Sequence, residues 1–195
     1  NMYYSGLDAG EGMHLGECLS APTSSRLPAL YEPVERAMAD PCGKGRGSFA
    51  DDLYAFGVSL AVIMRTTDPF AGLSDDEIIE RKIEKGSYTT LIGKDRLSGA
   101  MLELMRGLLY DDESQRWNLD DVEAWLDGRR LSPKQSSKRI KAARPIVFGD
   151  KKYVRPEILA KDLYKHPDET LRFIENGEMY QWVDRAIEDK AIKAL

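Results

Sequence analysis

The stretch whose residue types could most readily do chemistry is Pro41-Cys42-Gly43-Lys44-Gly45-Arg46-Gly47, where glycines alternate with two cations. Backbone N–H groups and cations of this kind can cradle a phosphate. No buried strand leads into it, however, and the spacing fits neither the P-loop nor the dinucleotide fingerprint, so a connection into the following helix is the expectation. Cys18 and Cys42 have no paired spacing, and His14 and His166 stand far apart. Neither a disulfide framework nor a zinc site is suggested. A formal net charge of −5 argues against a general nucleic-acid binder. No secretory leader is read and no apolar run approaches the roughly 18 residues of a membrane helix, so a cytoplasmic chain with no membrane segment is expected.

The elements that must position any site begin with Asp51 to Arg65. After two acids, Leu53, Tyr54, Phe56, Val58, Leu60, Val62, Ile63 and Met64 go all the way round a 3.6-residue period, the pattern of a helix buried on every side. Asp51 or Asp52 in the first turn suits the positive end of the helix dipole. Ser74-Asp75-Asp76-Glu77 is a capping box opening a helix to about Lys85, with Ile78, Ile79 and Ile83 on one face and Gly86 as its stop. A third helix over about 98–109 carries Met101, Leu102, Met105, Leu108 and Leu109. A fourth starts at Asn118, with Leu119, Val122, Trp125 and Leu126 as its apolar face, and stops at Gly128. Upstream, Met2-Tyr3-Tyr4 and Met13-His14-Leu15 flank a Gly-rich turn and predict a short hairpin.

From 129 to 144 the composition shifts to Arg, Lys, Ser and Gln, which marks a basic linker or arm. Residues 145–195 predict a small module: a hairpin turning at Gly149-Asp150, then helices over about 157–165, 168–175 and 179–192. Leu159, Leu163, Leu171, Phe173, Ile174, Tyr180, Trp182, Val183 and Ile187 are its expected core. About fifty residues hold together only marginally, so this module is expected to dock on the larger domain.

The wording of several segments resembles the C-terminal lobe of protein kinases, Ser/Thr kinases or pseudokinases of bacterial type. Asp52-Leu53-Tyr54-Ala55-Phe56-Gly57 resembles the start of that lobe's central helix. Asp68-Pro69-Phe70, the helix from Ser74 and the turn at Lys85-Gly86-Ser87-Tyr88 follow in family order, as does Leu108-Leu109-Tyr110-Asp111-Asp112-Glu113-Ser114-Gln115-Arg116-Trp117 before the last helix. Tyr31-Glu32-Pro33-Val34-Glu35 is similar to the end of the activation segment, with the proline one position early. The resemblance implies a mainly α fold: a kinase C-lobe-like helical domain with a short N-terminal hairpin over 1–128, a basic linker over 129–144, and an α+β module over 145–195.

It also implies roles. Glu35 and Arg116 would form a largely buried structural ion pair, and Asp52 would be the acid of the central helix. Asn1 matches the metal-binding Asn that ends the catalytic loop, with the catalytic base a few residues before it and the N-terminal lobe outside this sequence. The metal-chelating Asp falls on Gly16, which has no ligating side chain; a register shift of one offers Glu17 instead. No catalytic residue and no metal ligand set is therefore assigned. A pseudokinase-like domain that acts as a scaffold for a protein partner, with no cofactor of its own, is the expected function. The alternatives are the C-lobe of an active ATP-dependent kinase, with magnesium and ATP bound by the longer parent, and a nucleotide-independent interaction module.

Overall fold

The computed structural model describes residues 2–4, 13–15, 27–39, 44, 47–65, 69–132 and 140–187. Asn1, Gly16, Glu17, Cys18, Cys42 and Asp68, which the sequence singled out, lie outside the described residues. The chain divides into two compact units, Asn1–Ser136 and Ser137–Leu195. Both are mainly helical, and no helix among the described residues is long and apolar enough to cross a membrane.

The first unit begins with strands β1 (Met2–Tyr4) and β2 (Met13–Leu15), antiparallel with Met2 opposite Leu15. Among the described residues six helices follow: α1 (Val34–Ala37), α2 (Phe49–Ile63), α3 (Asp75–Lys85), α4 (Ser87–Ile92), α5 (Gly99–Leu108) and α6 (Leu119–Leu126), with a 3₁₀ turn at Glu113–Gln115 before the last. The starts of α3 and α6 fall where the sequence placed them, whereas α2 begins at Phe49, two residues before the expected Asp51, with Ser48 as its cap. Ser48 with Asp51, Ser74 with Glu77, and Asn118 with Asp121 each close a reciprocal capping box, so two orphan N–H groups at each start are satisfied. At α2 the capping acid is Asp51, not Asp52.

Two glycines set the packing of α5. A Cβ on Gly57 would lie 2.9 Å from the Leu108 Cβ, so its absence lets α2 and α5 approach closely. A Cβ on Gly107 would fall 2.2 Å from the Trp117 ring, and that ring packs with Leu104 and Leu108 to form a buried cluster. Tyr54, Val58 and Ala61 of α2 complete the interior with Leu91, Met105 and Leu109.

Several sequence expectations are corrected here. Helix α2 is not buried on every side: Tyr54, Gly57, Val58 and Ala61 are buried, while Phe49, Phe56, Ile63 and Met64 are exposed. Apolar residues around a helix permit burial on all faces, but burial also needs packed neighbours, and here α4 and α5 cover one side. On α6 the buried residue is Ala124, while Leu119 and Leu126 face water. Helix α4, with Leu91 and Ile92 buried, occupies a stretch read from sequence only as a turn.

The second unit pairs β3 (Ile146–Phe148) with β4 (Lys151–Tyr153), Ile146 opposite Tyr153, and adds α7 (Pro156–Lys165), α8 (Pro167–Glu175) and α9 (Glu178–Ala186). Pro156 and Pro167 sit at helix starts, where a missing N–H costs nothing. The core is Ile146, Phe148 and Tyr153 from the hairpin with Leu159, Phe173, Trp182 and Ile187. Phe148 meets Phe173 edge-on at 5.2 Å. Leu171, Ile174 and Tyr180, expected inside, are exposed, because the two-stranded hairpin covers only one side of the helices.

Candidate functional site

The chemistry-bearing side chains of the first unit converge on Tyr54, in the middle of α2. Its ring is fully buried and two cations lie near it: the Lys82 Nζ is 5.1 Å and the Arg116 Cζ 5.0 Å from the ring centroid. Each cation can gain from the ring's negative face. The Tyr54 hydroxyl donates to Ser87 Oγ at 2.9 Å, and the Ser87 N–H donates to Asp111 Oδ1 at 3.0 Å. Burial pushes the Tyr54 phenol well above its ordinary range, so this hydroxyl stays a proton donor.

Lys82 comes from α3, on the same face as Ile78, Ile79 and Ile83. Its three ammonium hydrogens meet three carbonyls of one segment: Ala29 at 2.7 Å, Leu30 at 2.7 Å and Glu32 at 2.8 Å. A lysine offers three donors and no acceptor, so this cage uses its full capacity. Burial lowers its pKa to about 7, against the opposing pull of Asp111, Glu32 and Glu35. The same segment is tied at both sides, since the Ala29 N–H donates to Asp75 Oδ1 at 3.1 Å and the Glu32 carboxylate takes Lys44 Nζ at 2.6 Å.

Arg116 holds the far end of that segment. Its Nη2 lies 2.8 Å from Glu35 Oε1, its Nε donates to the Tyr110 carbonyl at 2.9 Å, and its side chain has no exposed surface. Glu35 stands in the single turn of α1 and keeps 39% of its side-chain surface exposed. The pair is formed, but only its arginine is buried; four residues of helix at the surface cannot carry the carboxylate inside. Among the described residues Arg116 Nη1 has no hydrogen-bond acceptor.

Asp52 is exposed on α2, one residue beyond the cap, and its pKa is raised by partial burial and then by the neighbouring Asp51 carboxylate. It takes no part in the Tyr54 cluster. Lys44, from the glycine-rich stretch, is occupied by Glu32, and Arg36 donates to the Lys44 carbonyl while lying 3.5 Å from Asp51. The cation is thereby committed to a carboxylate of its own chain. Sequence reasoning passed over Lys82, Tyr54, Ser87 and Asp111. One signal was available: Lys82 is four residues after Ile78 and so falls inside an apolar stripe.

The arrangement ties the 29–35 segment to α2, α3 and the turn before α6. The amine of Lys82 is saturated by carbonyls, and the buried hydroxyls of Tyr54 and Ser87 bond to each other while the Asp111 carboxylate takes the Ser87 N–H. No group of three or more His, Cys, Asp or Glu side chains able to hold a metal ion occurs among the described residues. The chain matches no family model, no curated protein and no solved structure.

Proposed function

We propose that the first unit is a protein-kinase-like C-terminal lobe acting as a binding scaffold without phosphoryl-transfer activity of its own. The observation that carries the reading is the contact between Glu35 and Arg116, which joins residues 81 positions apart. These are the two positions at which the kinase resemblance, drawn from local wording alone, requires a long-range ion pair. The capped central helix, which carries Asp51-Asp52-Leu53-Tyr54 in its first two turns, agrees with it.

Loss of activity follows from residue types. The family's magnesium positions are Asn1 and Gly16, or Glu17 with the register shifted. With Gly16 at the second position the Asn1 amide stands without a carboxylate, which does not fit an octahedral magnesium–phosphate site, so no transfer step is derived through it. Millimolar magnesium–ATP is expected to leave the melting temperature unchanged, since a ligand at a hundred times its dissociation constant would stabilise by about 2.7 kcal/mol. A rise that Glu17→Ala abolishes and the surface control Glu84→Ala does not would overturn the proposal and make Glu17 a ligand.

A further inference from the structure

We draw no further inference here: the strongest candidate, the buried Glu103 carboxylate of α5, whose Oε1 has no hydrogen-bond partner among the described residues and whose Oε2 lies 3.6 Å from the exposed Arg130 guanidinium, carries nothing, because no feature of the structure shows what group it would hold.

Discussion

Replacing Lys82 with methionine removes the ammonium while keeping much of the side-chain volume, and its effect depends on pH in a direction the geometry dictates. Two of the three caged carbonyls, those of Ala29 and Glu32, are in buried hydrogen bonds, and the Leu30 bond is only partly buried. Leaving two buried acceptors unpaired costs roughly 2–6 kcal/mol at about 1–3 each. Against this, burial lowers the Lys82 pKa from 10.5 to about 7, which corresponds to roughly 5 kcal/mol at about 1.4 kcal/mol per pH unit. Between those two values the unfolded chain holds a proton that the folded chain does not, so wild-type stability rises with pH; it is lost again as pH falls toward 7. The methionine variant lacks this linkage. Near pH 7 the two opposing effects are of similar size and the variant should lie close to wild type in stability. Its deficit should grow by several kcal/mol toward about pH 10, as the linkage develops. Urea unfolding of both proteins at matched pH, read by circular dichroism, measures the difference, in which tyrosine ionisation common to both cancels. A difference constant within about 1 kcal/mol from pH 6 to 10 would refute the reasoning, because such a shift requires about 1.4 kcal/mol per unit. The carbonyl cage with Asp111, Glu32 and Glu35 would then be holding the ammonium charged throughout.

Arg116→Ala should destabilise the first unit by about 2–5 kcal/mol, since it empties a fully buried side-chain site and removes the donor to the Tyr110 carbonyl. Glu35→Ala should also destabilise it, because the fully buried Arg116 guanidinium loses its counter-charge. A double-mutant cycle on urea midpoints should return a coupling above about 0.5 kcal/mol, the scale for residues in direct contact; additive effects would remove the support for the kinase-like reading. Gly107→Ala places a methyl group 2.2 Å from the Trp117 ring. The gain in helix propensity is about 1 kcal/mol, whereas overpacking costs about 1–3 kcal/mol or more, so a net loss with altered tryptophan fluorescence is expected, and a gain in stability would show that the ring moves freely.

Local chemistry made much of this chain readable in one dimension. The capping boxes at Ser48, Ser74 and Asn118, the proline starts at Pro156 and Pro167, and the hairpin about Gly149-Asp150 depend on residues within a few positions of one another. Their partners are adjacent in the sequence, so types and spacing suffice. The contact between Glu35 and Arg116 was anticipated only through resemblance, as no local rule joins residues so far apart.

What the tertiary structure alone decided was the environment of each side chain. Nothing near Lys82 in the sequence indicates that its ammonium meets three carbonyls about fifty residues away, because burial and partners come from where α3 lands on the 29–32 segment. The same holds for Tyr54, whose two flanking cations arrive from α3 and from the turn before α6. Apolar composition told that α2 could be buried, but not on which side. That choice rests on the close approach of α5 at Gly57, and it leaves Phe49, Phe56 and Ile63 facing water with Asp52 between them.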